Sequence, residues 1–300
     1  MFGSVTEVEE GLLAAGYLAD EVTPTLVYLA ARLHKPILLE GPPGAGKTEL
    51  AYAVARAAGR EVLRLQCYEG IDDAKAIGHF DAALQRLALE ARVIAAADWE
   101  AVKRDLHGER FFNSGPLLEA LVQPASCVLL IDELDKVEAA FEAMLLEVLS
   151  AWQLSIPKLG VVKASSFPFV VITSNEERKI GDPLRRRSFY LRVDHPEAER
   201  EAEIVRRRTP HCSAAFHCGI AGMAQALRGW ALEKPPSISE MLDLAQALEL
   251  LGKDQVTVEM RDLMLPLLVK TEADRRRLLL RDGWASLVED ARRYAEEITV

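Results

Sequence analysis

Nowhere does the chain hold 18 or more uncharged apolar residues in a row, so its 300 residues offer no membrane-spanning helix and predict no membrane insertion. The segment Met1 to Glu10 carries Glu7, Glu9 and Glu10 where a secretory signal would carry basic residues, and a cytoplasmic protein is expected. Cationic charge is short as well. Lys and Arg number 36 against 46 Asp and Glu, a net charge of −10. Broad binding to DNA or RNA relies on clustered cations that release phosphate counterions, so nucleic acid is not expected as a partner. A local basic groove is still compatible with this balance. Internal repeats and low-complexity tracts are absent too. What is plentiful is apolar side chain, half of all residues, enough for a sizeable core in one large domain or two ordinary ones.

Cysteine is scarce: Cys67, Cys127, Cys212 and Cys218 show no spacing of a disulfide framework. Cys67 and Cys127 lie in or beside apolar strand patterns and read as small core residues. His211-Cys212 and His217-Cys218 place four ligand-type side chains close together. A six-residue offset on a helix puts the two pairs on different faces, so an ordinary loop-to-helix transition is expected there rather than a zinc site.

The octapeptide Gly41-Pro42-Pro43-Gly44-Ala45-Gly46-Lys47-Thr48 fits the phosphate-loop pattern of two glycines five apart followed by Lys and Thr. Its context fits as well. The apolar run Pro36–Leu39 precedes it as a buried strand. After it, Leu50, Ala51, Val54, Ala55 and Ala58 recur at helical spacing until Gly59. Strand, loop and helix N-terminus aim backbone N–H groups at one spot, which favours an anion. Lys47 is placed to neutralise β- and γ-phosphate charge, and the Thr48 hydroxyl to hold Mg2+.

Five strand patterns alternate with helices in the first two thirds: Pro36–Leu39, Glu61–Cys67, Cys127–Asp132, Phe169–Ser174 and Phe189–Asp194. Such alternation implies a mostly parallel sheet covered on both faces, with ligands at the carboxyl ends of the strands. Val137, Phe141, Met144, Leu145, Val148 and Leu149 form the apolar stripe of one helix. Leu154–Ile156 and Val161–Lys163 flank Pro157–Gly160 as a hairpin, within about 153–165. The stretch of about 70–112 is too long for a plain connection and reads as an insertion, with a helical segment near Ala82–Ala97 and a polar tip near Lys103–Arg110. After Pro196 strand patterns nearly vanish. Helical patterns follow at Glu197–Arg208, Ser213–Leu232, Ser239–Leu251 and from Met260 to Glu297. The expected division is an α/β nucleotide-binding domain over 1–195 and a helical domain over 196–300.

Val128–Ile131 runs into Asp132 and Glu133. Asp132, at the strand tip, is in reach of Mg2+ directly or through water, and Glu133 is placed to polarise an attacking water. The pair lies about 85 residues after the phosphate loop, and its Glu favours ATP hydrolysis over transfer to another acceptor. Val170–Ser174 ends in Asn175, which is in position to bond the γ-phosphate or the water. Arg185-Arg186-Arg187 follows Asp182-Pro183-Leu184, at the end of a helix expected to border a neighbouring subunit. An arginine reaching a neighbour's site would stabilise transition-state charge.

This set of motifs resembles the AAA+ ATPases: Walker A at Gly41–Thr48, Walker B at Leu129–Glu133, sensor 1 at Asn175 and an arginine-finger segment at Arg185–Arg187. The hairpin resembles the pre-sensor hairpin, and the insertion resembles the helix-2 insert of the MoxR group. Leu65–Gly70, Leu129–Lys136, Leu145–Ser150 and Lys234-Pro235-Pro236 are similar to the MoxR branch that contains the carbon-monoxide-dehydrogenase accessory ATPase, a CoxD-like resemblance.

That resemblance implies a P-loop NTPase α/β fold, a parallel αβα sandwich followed by a small all-α lid. It implies ATP and Mg2+ as ligands, a homo-oligomeric ring (usually a hexamer) and a chaperone-like role. The implied partners are a von Willebrand factor A domain protein and a client metalloenzyme. It makes Arg187 the first candidate finger and Arg186 the second, although Ser188 stands where many relatives place Phe. On the adenine side Tyr17 and Leu18 match best. The stretch Ser237–Glu240, where a sensor 2 arginine normally begins the lid helix, holds none, so sensor 2 is either lost or replaced by Lys234 or another basic residue. Other functions on the same fold are a nucleic-acid motor or loader, a nucleotide-switched scaffold and a carboxylase-activase-like remodeller. Intact Lys47, Asp132, Glu133 and Asn175 argue against the scaffold.

Overall fold

A computed structural model describes residues 1–90, 99–230, 232–280 and 283–298. Its strands, in chain order, are β1 (Ile37–Glu40), β2 (Val62–Gln66), β3 (Gly78–Phe80), β4 (Phe112–Ser114), β5 (Val128–Asp132), β6 (Gln153–Ile156), β7 (Gly160–Lys163), β8 (Phe169–Ser174) and β9 (Phe189–Arg192). Five of them form one sheet in the order β2-β5-β8-β1-β9, with every pairing parallel. These five coincide with the strand patterns of the sequence to within two residues at each end.

Central position explains why those patterns were so plain. β1, β5 and β8 are buried along their whole length, and such strands read as unbroken apolar runs. Leu38, Leu129, Ile131 and Ile172 enter one core with Leu117, Leu121 and Leu145 from covering helices. Each such side chain contributes roughly 1.5–3 kcal/mol of transfer free energy. β2 is an edge strand and only partly buried, which leaves room for Arg64 and Gln66 on it.

Two helices not marked by the sequence patterns precede β1, Val5–Ala14 and Thr23–Leu33. The first is capped by the Ser4 hydroxyl, which accepts from the Glu7 N–H at 3.1 Å, and it buries Val8 and Leu12. The described part of the insertion contains regular structure. β3 and β4 pair antiparallel and close its base. Its expected helix is seen over Ala82–Glu90, while 91–97 of that expectation lie outside the described residues. The expected polar tip, Lys103–Arg110, is the end of the helix Trp99–Leu106 and a turn into the 3-10 helix Glu109–Phe111. The hairpin forms from β6 and β7, with Lys158 (φ 72°) and Gly160 (φ 86°) in the left-handed region at its turn.

The chain has two compact units, residues 1–41 with 47–192, and residues 42–46 with 193–300. Beyond 193 the described elements are helical, the longer ones being Ala198–Arg208, Ala214–Gly229, Ile238–Leu250 and Gly283–Glu297. The pattern from Met260 to Glu297 is not one helix. Arg261–Leu268 contains Pro266 and ends at the extended Val269, Thr271 caps Glu272–Leu279, and Leu280 is extended again. A core of Phe216, Met241, Leu244, Trp284 and Leu287 joins these helices. Within it Arg228 grips buried Glu201 with two bonds of 2.6 and 2.8 Å; burial pushes the Glu201 carboxyl up, against the pull of Arg228. His217, of the His/Cys pairs, is buried and donates through Nε2 to the Thr209 carbonyl at 3.0 Å.

Gly222 lets the helix Ala214–Gly229 lie close against Gly283–Glu297. A Cβ there would stand 2.3 Å from the Ala291 carbonyl oxygen. In an ordinary helix Gly→Ala is stabilising by up to about 1 kcal/mol. Here the sign reverses: Gly222→Ala is expected to lower stability by about 1–3 kcal/mol through overpacking, read as a fall in the urea midpoint. An unchanged or raised midpoint would show that the two helices separate freely.

Candidate nucleotide site

The loop 41–46 leaves the buried end of β1 and enters the helix Lys47–Ala58. Gly44 (φ 70°) and Gly46 (φ 95°) take left-handed backbone. Gly44 is required a second way, since a Cβ on it would stand 2.1 Å from Ser237 Cβ. Lys47 is buried and donates from Nζ to the Gly41 carbonyl at 2.7 Å. Burial lowers the Lys47 pKa, while Asp135, Asp132, Glu176 and Glu133 pull it back up. A cation is thus held in a dry position with carboxylates around it.

Asp132 gathers the first helical turn, β8 and β2. Its Oδ1 accepts from the Thr48 hydroxyl at 3.1 Å and the Thr173 hydroxyl at 2.6 Å. Its Oδ2 accepts from Arg64 Nε at 3.1 Å and Nη2 at 2.5 Å. Glu133 sits in left-handed backbone (φ 58°), a conformation that costs a non-glycine on the order of 1 kcal/mol. It is kept there by its N–H, which donates to Thr173 Oγ1 at 2.9 Å. Its side chain accepts from Gln66 Nε2 at 3.0 Å, Lys136 Nζ at 2.8 Å and Asn175 Nδ2 at 3.5 Å. Behind it buried Asp135 receives the N–H groups of Asn175 and Glu177, both at 3.0 Å, and so fixes the turn after β8. Cys67, buried one residue past β2, has its thiol pushed up to about 12, chiefly by burial and further by the same carboxylates. It stays a neutral thiol.

Lys47, Thr48, Asp132, Glu133 and Asn175 therefore converge, from positions as far apart as the loop and the ends of β5 and β8. Arg186 and Arg187 do not join them: both are exposed on the helix Asp182–Arg187. Their neighbour Arg185 instead pairs with buried Glu40, just before the loop. Tyr17 and Leu18 lie half-buried in the linker between the first two helices. Sequence reasoning passed over Arg64, Gln66, Lys136, Asp135 and Thr173. The signal for the first two was present: polar residues two apart in an otherwise apolar strand share one face.

For Mg2+ the donors fit. Hard oxygen ligands, one hydroxyl and one carboxylate, stand together at the start of an anion-favouring helix.

A five-stranded parallel sheet carrying this loop, with a helical region after it, defines a P-loop ATPase of the AAA+ fold. Residues 37–195, more than half of the chain, match the family described as "ATPase family associated with various cellular activities (AAA)". The chain belongs to that family. Protein NorQ of Paracoccus denitrificans is 26% identical over 234 residues, covering 75% of this chain and 77% of its own. The Lon protease of Nitratidesulfovibrio vulgaris is 34% identical over 173 residues, or 55% of this chain and 18% of that protein. The chain thus spans about a fifth of the length of the Lon proteases it matches. A solved mutant of Thermotoga maritima RuvB, 18% identical, superposes with a TM-score of 0.50 over 92% of this chain and 76% of that one, a likeness of fold. No described helix is long and apolar enough to cross a membrane.

Thr173 serves both carboxylate-bearing residues, donating to one and accepting from the backbone of the other. Thr173→Val keeps the shape, takes the acceptor from the Glu133 N–H and removes one of the donors to Asp132. It is expected to cost about 1–3 kcal/mol of stability in urea unfolding, with Thr173→Ser recovering most of it. No loss in Thr173→Val together with a loss in Thr173→Ser would assign the effect to the methyl packing instead.

Proposed function

We propose that the protein hydrolyses ATP to ADP and phosphate to remodel a client protein, as a MoxR-type member of the AAA ATPases. The observation that carries the reading is the 3.1 Å bond between Thr48 and Asp132, residues 84 apart in sequence that stand together beside the buried Lys47. In this reading residues 1–195 form the nucleotide-binding domain and 196–300 the helical lid. The loop amides of Gly41–Gly46 and Lys47 hold the phosphates. Thr48 and Asp132 hold Mg2+, whose charge, when bound, offsets that developing on the phosphate oxygens. Glu133 accepts a proton from the attacking water and Asn175, 3.5 Å from it, aligns that water. Gln66 and Lys136 orient the Glu133 carboxylate.

Arg187, with Arg186 second, completes a neighbouring subunit's site. Their exposure supports this, as does the pairing that occupies Arg185. A homo-oligomeric ring, a hexamer in the reading, follows from a site shared between subunits. Tyr17 and Leu18 would line the adenine. The likeness to NorQ over three quarters of both chains supports the MoxR branch. The CoxD-like assignment, the von Willebrand factor A domain partner, the metalloenzyme client and the cytoplasmic location rest on the sequence resemblance. A nucleic-acid motor is a second reading on the same fold; the net charge of −10 weighs against it, and turnover stimulated by DNA or RNA would favour it.

Glu133→Gln is expected to retain ATP binding and to lose turnover on the order of 10²-fold or more. Turnover near wild type would refute the role of Glu133. Specific activity is expected to climb steeply with protein concentration as sites are completed between subunits, and to fall in Arg187→Ala at every concentration. A rate per subunit independent of concentration would overturn the shared site.

A further inference from the structure

Asp132 carries more donors than a metal-binding carboxylate needs. One oxygen receives the two threonine hydroxyls; the other is taken by Arg64 through both Nε and Nη2. Strand register builds this pairing. β2 and β5 run parallel with Gln66 opposite Asp132 and Arg64 opposite Leu130, so Arg64 and Gln66 project from the same face of an edge strand. Arg64 Nη2 also donates to the Gln66 side-chain oxygen, which fixes the plane of the fork. The exposures are unequal: the Asp132 side chain is 4% exposed and that of Arg64 47%. A carboxylate this deeply buried needs a cation or a full set of donors. A half-wet guanidinium can leave for solvent at little desolvation cost.

We propose that Arg64 is a resident counter-ion that competes with Mg2+ for Asp132. It keeps the carboxylate neutralised and in place while the site is metal-free, and it sets how much Mg2+ is needed to load the site. The inference rests on the reading of Thr48 and Asp132 as the metal-side pair. Guanidinium and Mg2+ cannot both take Oδ2 at contact distance, and two cations on one carboxylate repel. Removing Arg64 therefore makes Mg2+ bind more tightly, whereas loss of a residue that only positions Asp132 would make it bind more weakly. The two roles predict opposite signs.

The test uses the full chain with Arg64→Gln and Arg64→Lys. Gln keeps a donor without the charge, and Lys keeps the charge without the fork. Fluorescent N-methylanthraniloyl-ADP is held at fixed concentration while Mg2+ is titrated, and thermal melting is followed in EDTA and in Mg2+. For Arg64→Gln the Mg2+ midpoint of nucleotide binding is expected to fall about ten-fold, with a smaller fall for Arg64→Lys. Its Tm in EDTA is expected to drop below wild type, with a larger gain on adding Mg2+. A midpoint equal to or above that of wild type overturns the inference. Should Arg64→Gln not fold, the Arg64→Lys midpoint decides by the same criterion. A wild-type protein whose nucleotide binding ignores Mg2+ removes the metal reading of Thr48 and Asp132 and the inference with it. A responsive wild type with unmoved variants removes the inference alone.

Discussion

The site is organised around one buried carboxylate. Asp132 ends the inner strand β5, where water is excluded, and a charge there is tolerated only if its lone pairs are filled. Thr48, Thr173 and Arg64 fill them from the first turn after the phosphate loop, from β8 and from β2. Three separate segments are thereby held to the tip of one strand. The constraint runs both ways: the sheet must be parallel, with β5 between β2 and β8, for those donors to arrive at one atom group. A slip of one residue in β2 would turn Arg64 and Gln66 to the opposite face.

Around that anchor the other groups divide their tasks by depth. Lys47 is dry and tied to the loop carbonyl, so its charge is undiluted by solvent. Glu133 is partly exposed, kept in strained backbone by Thr173, and held by Gln66, Lys136 and Asn175, groups able to rearrange. Asp135 lies behind, deep enough to fix the turn of Asn175 through two N–H bonds. A buried inner layer thus carries a more exposed outer one.

Legibility followed burial. The five strands of the main sheet were apparent because buried strands leave unbroken apolar runs, and the phosphate loop because its glycines and Lys47-Thr48 form a pattern with its own chemistry. The first two helices were passed over although their buried residues, Val8 with Leu12 and Pro24 with Val27 and Ala30, do recur at helical spacing. β3 and β4 were missed because three-residue strands with a polar face carry almost no periodic signal. The C-terminal pattern looked continuous because apolar spacing alone does not register the breaks at Val269, which lies between Pro266 and the cap at Thr271, and at Leu280.

By itself the sequence determined the class of fold, the phosphate loop, the acidic strand tip and the polar residue after β8, since each is a local pattern whose chemistry is contained in a few neighbouring residues. Only the tertiary structure decided which side chains complete the site. Arg64, Gln66, Thr173 and Asp135 become functional candidates through strand order and register. Arg185 is separated from Arg186 and Arg187 by an ion pair to Glu40, 145 residues away. Long-range pairing is set by how a sheet is threaded, and threading leaves no mark on the local spacing of residues that meet because of it.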